Sequence, residues 1–102
     1  MKPIDLTPEN FQSEVLQSAV PVLVDFWAPW CAPCRAFSPV IEEIAEEATG
    51  FKVGKVNVDD QPELAAAFKV MSIPTLILFK NGAPAARTVG LQSKEKVLEL
   101  LR

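Results

Sequence analysis

Two cysteines, Cys31 and Cys34, are the residues best suited to chemistry in this sequence. They are the only cysteines among 102 residues, and the stretch WCAPC separates them by two positions. Three interpretations compete: part of a metal site, two inert buried thiols, or a redox pair that forms a disulfide reversibly. A metal site needs more ligands, and a chain without histidine offers only carboxylates or a second chain for that purpose. We therefore expect no metal site and favour the redox pair.

The positions of the two thiols predict different roles. Apolar residues recur at three- and four-residue spacing after Cys31, so a helix is predicted to begin there, where free N–H groups and the helix dipole favour a thiolate. Cys31 is the predicted nucleophile. Cys34 follows on the apolar side of this helix with Phe37, where desolvation keeps a thiol protonated, and it is the predicted resolving cysteine. Pro33 suits a first helical turn, whereas Pro39 lies in the helix interior and is interpreted as a structural kink.

The surrounding segments predict the elements that position these thiols. The apolar run VLVDFW, Val22 to Trp27, is typical of a central strand covered on both faces. Further strands are expected at PIDL, FKVGKVNV, IPTLILF and APAARTV, with a hairpin at Asn81-Gly82, and further helices are expected after caps at Thr7, at Asp59-Asp60 and at Ser93. The cysteine helix is expected to end near Gly50. The fold class is α/β, with a mixed sheet of four to five strands flanked by helices on both faces, in a single domain over residues 1–102.

Composition excludes several functions. Ten basic and thirteen acidic residues give a net charge of −3, which offers no electrostatic basis for binding nucleic acid. The absence of histidine excludes histidine-based acid–base catalysis. No apolar segment has the length of a signal peptide or a membrane span, so we expect a cytoplasmic protein that does not associate with membranes.

An ordered set of motifs resembles the thioredoxin family over nearly the whole chain. The motifs are VDFWAP before WCAPC, RAFSPVIEEIA, KVNVD, SIPT, FKNG and a late VG. The resemblance implies the thioredoxin fold and dithiol–disulfide exchange with protein substrates through a mixed disulfide on Cys31. It also implies a monomer that is recycled by an NADPH-dependent thioredoxin reductase. The redox group would be the Cys31–Cys34 disulfide itself, so no separate cofactor is expected.

The resemblance also assigns a role to the one charge in the apolar strand, Asp25. From the residues alone, Asp25 lies either at a strand edge in water or in the interior, where its pKa would rise. The matching aspartate of the family is buried behind the resolving cysteine and helps to deprotonate it. Lys55 of KVNVD would be the nearby charge that modulates Asp25, and the alternative for Lys55 is a solvated strand lysine.

A further expectation concerns the Ile73-Pro74 bond. Most X–Pro bonds are trans, but the matching bond in the family is cis and faces the disulfide. The backbone of Ile73 would then pair with an extended substrate strand. By the same resemblance, Trp30, Pro74, Gly90 and Leu91 would line the apolar surface on which the substrate lies.

Some positions depart from the usual family pattern. Ala32 stands between the cysteines where thioredoxins mostly carry glycine, which leaves the redox potential open. Four further departures bear on the choice of partner: Phe68, Met71, Ser72 and Leu91. Two alternatives to a general reductant follow, namely a specialised or oxidising thiol–disulfide exchanger and a binding subunit of the same fold without turnover.

Overall fold

The computed structural model describes residues 2–102, and strands and helices largely alternate along it. The strands are β1 (Ile4–Asp5), β2 (Val22–Trp27), β3 (Lys52–Asn57), β4 (Thr75–Lys80) and β5 (Ala83–Val89). The helices are α1 (Pro8–Phe11), which continues as a π-helical turn over Gln12–Leu16, α2 (Ala32–Glu46), α3 (Pro62–Ala67) and α4 (Lys94–Leu100). In residues 2–102, no helix is long and apolar enough to cross a membrane.

The five strands form one mixed sheet in the order β1-β3-β2-β4-β5. Strands β1, β3 and β2 run parallel, while β4 is antiparallel to both β2 and β5. The first five residues of β2 are fully buried, because strands flank it on both sides and helices cover both of its faces. The predicted central strand and mixed sheet are confirmed.

Two separate apolar clusters hold the helices against the sheet. The cluster under α1 and α3 contains Leu6, Phe11, Val15, Val22, Val24, Phe26, Val56, Ile77 and Phe79. The cluster under α2 and α4 contains Leu23, Phe37, Ile41, Ile44, Ala45, Val53, Leu76, Leu78 and Val97. Successive residues of β2 alternate between the two clusters, as the period of a strand requires. The sheet is therefore covered on both faces, as predicted.

The hairpin between β4 and β5 turns at Asn81 and Gly82, as predicted. Both residues have positive φ, 53° and 78°, which matches the preference of tight hairpins for Asn-Gly. A Cβ at Gly82 would also lie 2.5 Å from the carbonyl oxygen of Leu16, so only glycine fits there without a shift. The hairpin therefore lies close against the end of the π-helical turn.

Helix ends account for the differences between expectation and structure. The helix α2 ends at Glu46 rather than near Gly50, because the Ala48 N–H bonds back to Ala45 and tightens the last turn. The expectation that Asp59 and Asp60 cap α3 is wrong, since Gln61 occupies the cap position without a side-chain hydrogen bond. At α4 the predicted cap is confirmed: Ser93 Oγ accepts from the Lys96 N–H at 3.2 Å.

Candidate active site

The two cysteines lie where β2 passes into α2. Cys31 is the N-cap of α2, and its Sγ accepts from the backbone N–H of Cys34 at 3.2 Å. The two residues form a disulfide with a Cα–Cα distance of 5.2 Å, which is within the usual range. Ala32 and Pro33 fill the first two helical positions, where the missing N–H of proline costs no hydrogen bond. The sequence thus places the disulfide across the first turn of a helix.

A groove of about 550 Å³ opens beside Cys31. One wall comes from the cysteine turn and the residue that follows β3: Trp30, Cys31, Ala32, Pro33 and Val58. The other wall comes from α3 and the segment after it: Ala65, Val70, Met71, Ser72 and Ile73. Cys31 Sγ lies 3.8 Å from the carbonyl oxygen of Ile73 across the groove, whereas Cys34 is not among the lining residues.

Trp30 forms an exposed apolar rim of this groove. Its side chain is 67% exposed, and its indole N–H donates to Asp59 Oδ2 at 2.8 Å. Sequence reasoning assigned Asp59 to the helix cap and missed this role. The contact joins residues 29 positions apart, so no local pattern indicates it.

The Ile73-Pro74 bond is cis, as the resemblance implies. Ile73 forms no backbone–backbone hydrogen bond with the described residues, while the carbonyl of Pro74 accepts from the N–H of Gly90 at 2.8 Å. Gly90 has a φ of 92°, a conformation that favours glycine. Gly90 and Pro74 therefore meet beside the groove without lining it, and Leu91 is exposed and also outside the lining.

Asp25 is a buried carboxyl on the sheet face that α2 covers. It pairs in register with Leu76 on one side and Lys55 on the other, and it is only 2% exposed. Its Oδ1 has no hydrogen-bond partner in residues 2–102. Burial raises the pKa of Asp25 from its usual 3.8 to about 7, against the opposing effect of the positive charge of Lys55. The carboxyl therefore exchanges a proton near neutral pH.

Lys55 lies beside Asp25 and packs on an aromatic ring. Its Nζ is 4.4 Å from the ring centroid of Trp27, within the range of a cation–π contact. A second cavity of about 380 Å³ opens here, lined by Trp27, Cys34, Arg35, Ser38, Pro39, Glu42 and Lys55. Lys55 is thus not a freely solvated strand lysine, because it shares this cavity with the second cysteine.

Pro39 and Arg35 lie one turn apart in the first half of α2. The helix continues through Pro39, which has no N–H to donate to the carbonyl one turn back at Arg35. The guanidinium of Arg35 donates to the carbonyl oxygen of Pro29 at 2.8 Å and so fastens the loop before Cys31 to the helix. Sequence reasoning identified the proline and missed the arginine.

The geometry brings together a small-ring disulfide, an open groove beside Cys31, and a cavity that Cys34 shares with Lys55, the lysine that pairs in register with the buried Asp25. The N–H groups of the first helical turn would stabilise a thiolate at Cys31, since its Sγ already accepts a hydrogen bond from one of them, that of Cys34. The arrangement suits reversible thiol–disulfide exchange.

Comparisons with known proteins agree with this chemistry. The family model described as Thioredoxin matches residues 2–102. A thioredoxin of Mycobacterium tuberculosis is 54% identical over 99 residues, covering 96% of this chain and 85% of that protein. A thioredoxin of Alicyclobacillus acidocaldarius is 54% identical over 93 residues, covering 90% and 88%.

A longer relative carries the same domain. The bifunctional thioredoxin reductase/thioredoxin of Mycobacterium leprae is 50% identical over 96 residues, which cover 93% of this chain and 21% of that protein. The match to the family along residues 2–102 and the Cys31–Cys34 disulfide lead to one conclusion. The chain belongs to the thioredoxin family and is a dithiol–disulfide oxidoreductase.

Proposed function

We propose that this protein reduces disulfides in other proteins, with Cys31 as the nucleophile and Cys34 as the resolving cysteine. One observation carries the assignment: the two cysteines line different cavities. Cys31 lines the open groove of about 550 Å³, and Cys34 lines the cavity that contains Lys55. A protein disulfide can therefore approach Cys31, whereas Cys34 can act only after the substrate is attached.

The first step is an attack by the Cys31 thiolate of the reduced protein. It forms a bond to one sulfur of the substrate disulfide, and the other substrate sulfur leaves as a thiolate. An extended substrate segment in the groove has the free backbone groups of Ile73 available for pairing, in the manner of β-augmentation. Trp30 and Met71 on opposite walls supply apolar contact area.

The second step releases the substrate. Asp25 accepts the proton of Cys34, and the Cys34 thiolate attacks Cys31 Sγ. The bond between Cys31 and the substrate breaks, and the substrate sulfur leaves as a thiolate. Overall, the substrate disulfide gains two electrons from the two cysteine thiols. A pKa of about 7 suits a group that must take up and return a proton near neutral pH. Lys55 stabilises the charged form of Asp25, which is the form that accepts the proton.

The cycle closes when a thioredoxin reductase returns the Cys31–Cys34 disulfide to the dithiol with electrons from NADPH. The Mycobacterium leprae relative supports this partner, because its name combines a thioredoxin reductase with a thioredoxin in one protein. We further propose that the protein acts in the cytoplasm as a monomer. Its redox group is its own pair of cysteines, without a further cofactor.

Trapping of the intermediate tests this function. The Cys34→Ser variant should hold substrate proteins on Cys31 as mixed disulfides that a reducing agent releases, because the resolving thiol is missing. The Cys31→Ser variant is the matched control and should trap far less. Equal trapping by both variants, or adducts that resist reduction, would contradict the assignment of the two roles.

A further inference from the structure

The far wall of the groove depends on how the chain leaves α3. After α3 ends at Ala67, residues 69–73, here called the wall segment, carry Val70, Met71, Ser72 and Ile73 to the groove. Met71 is 92% exposed, so its own side chain does little to hold the segment in place. Other contacts must fix this wall.

The wall segment begins with a left-handed turn at Lys69. The φ of Lys69 is 56°, and the N–H groups of Lys69 and Val70 bond back to Ala66 and Ala65 at 3.1 and 2.9 Å. This is the hydrogen-bond pattern of a helix ending in which the left-handed position is usually glycine. A lysine there is strained, and such a conformation persists only where its surroundings hold it.

Arg87 of β5 supplies that hold. Its guanidinium donates from Nη2 to the carbonyl oxygen of Phe68 at 2.6 Å and from Nη1 to that of Lys69 at 3.3 Å. Arg87 pairs in register with Ile77, which lies on the sheet face covered by α1 and α3, so the strand directs the side chain to the end of α3. The fork of the guanidinium thus satisfies two carbonyls at the end of a helix.

Phe68 gives this contact a rigid base. Its ring lies 5.1 Å from that of Phe79 and 5.3 Å from that of Phe11, measured between centroids. The core therefore fixes one end of the turn, and Arg87 fixes the two successive carbonyls of Phe68 and Lys69. The next residues of the chain form the groove wall.

We propose that Arg87 is a positioning residue for substrate binding: it holds the left-handed turn at Lys69 and thereby sets the wall of the groove against Trp30 and Cys31. The inference rests on the proposed function, since it concerns how a protein disulfide is held. Arg87 contacts neither cysteine, so the exchange chemistry itself does not depend on it. The effect is on the affinity for substrates that fill the groove.

The test compares a large and a small disulfide with the same variants. For Arg87→Ala we expect KM for insulin to rise roughly threefold to tenfold with kcat nearly unchanged, because contacts with the far wall are lost. The rate with a small aromatic disulfide that reaches Cys31 without the far wall should stay within about twofold of the parent protein. Arg87→Lys should recover only part of the loss, because an ammonium lacks the planar fork.

Lys94→Ala is the matched control. Lys94 at the start of α4 forms ion pairs with Glu43 of α2 and with Glu47 just after it, at 2.6 and 2.9 Å. Its loss removes a cation with two contacts to another part of the chain, as the loss of Arg87 does. Lys94 lies outside the groove lining and should leave both substrates unaffected. Hydrogen exchange at the Val70 amide should accelerate in Arg87→Ala and not in Lys94→Ala, which reports the turn directly.

Two results would overturn the inference. An equal change with both disulfides would place the effect of Arg87 on the redox centre or on general stability, and an unchanged KM for insulin would show that the wall does not need Arg87. Both are distinct from failure of the proposed function, in which the parent protein itself would not reduce insulin. Should Arg87→Ala fold poorly, the same two measurements on Arg87→Lys, the KM for insulin and the hydrogen exchange of the Val70 amide, still decide the question.

Discussion

The surroundings of the two cysteines differ more than the cysteines themselves. Cys31 and Cys34 are both nearly buried, at 5% and 2% exposure. Cys31 opens to a groove with an exposed tryptophan and with Ile73, whose backbone makes no backbone–backbone hydrogen bond in residues 2–102. Cys34 opens to a cavity with Lys55 and lies in α2, the helix that covers the sheet face holding Asp25. The proposed roles of the two thiols thus follow from their environments: a groove that can admit a substrate at Cys31, and a buried proton acceptor on the sheet face under the helix that carries Cys34.

The largest expected effect concerns the reactivity of the two thiols. In the reduced protein at neutral pH, iodoacetamide should modify Cys31 on the order of 10²-fold faster than Cys34, because only Cys31 combines an N-terminal helix position with an open groove. Mass spectrometry of the two alkylated forms over time measures the ratio. In concentrated guanidinium the ratio should fall to near one, and equal rates in the folded protein would remove the basis of the comparison.

Local patterns in the sequence predicted much of the frame for this comparison. The apolar run of β2, the Asn81-Gly82 hairpin and the Ser93 cap depend on neighbouring residues, so period and turn chemistry sufficed. The spacing of Cys31 and Cys34 likewise predicted which thiol lies at the helix end. These features depend on neighbouring residues in the sequence, and tertiary contacts did not override them.

Contacts between distant elements were not predictable in this way. Asp59 was expected to cap α3 and instead accepts from Trp30, and Arg87 reaches the end of α3 from another strand. Such contacts arise from tertiary packing, which a local pattern does not encode. The resemblance to a family, rather than periodicity, indicated that Asp25 is buried and that the Ile73-Pro74 bond is cis.

Replacement of Asp25 tests the proton side of the comparison. Because the pKa of Asp25 is about 7 in the fold and 3.8 when unperturbed, the folded state binds more protons than the unfolded state between about pH 4 and 7. The free energy of unfolding should therefore fall as pH rises through that window. Asp25→Asn should abolish this contribution and gain up to about 4 kcal/mol over the parent at neutral pH, with little difference near pH 4.

Urea unfolding of the parent and of Asp25→Asn across that pH range measures the difference in their free energies of unfolding. The contributions of the other carboxyl groups are the same in both proteins and cancel in this difference. The same variant should slow resolution of the mixed disulfide by roughly tenfold or more, since a positioned acid–base group is lost. Lys55→Met is the companion variant: without the lysine charge, the midpoint of the Asp25 contribution should move to higher pH. A pH-independent difference between Asp25→Asn and the parent would mean that Asp25 does not titrate as its burial requires.

The smallest expected effect concerns Ala32, which lies between the two environments in the first turn of α2. Alanine and glycine differ in a helix by roughly 0.5–1 kcal/mol, and 30 mV corresponds to about 1.4 kcal/mol for a two-electron couple. Even if the whole difference fell on one redox state, Ala32→Gly would shift the potential by about 10–20 mV. Because the helix persists in both redox states, we expect a smaller shift than this. The potential of the parent protein itself should lie near the −270 mV of thioredoxin.

Equilibration in graded dithiol–disulfide buffers, followed by the fluorescence of Trp27 and Trp30, measures both potentials. A parent value between about −180 and −120 mV would instead match oxidising relatives. A shift well beyond 20 mV in Ala32→Gly would then identify the methyl group of Ala32 as the cause, acting on one redox state alone. A strongly oxidising parent with an unshifted variant would place the cause outside Ala32, in the other surroundings of the two thiols. The Asp25→Asn and Lys55→Met variants would then test whether the buried carboxyl and its lysine partner set the potential.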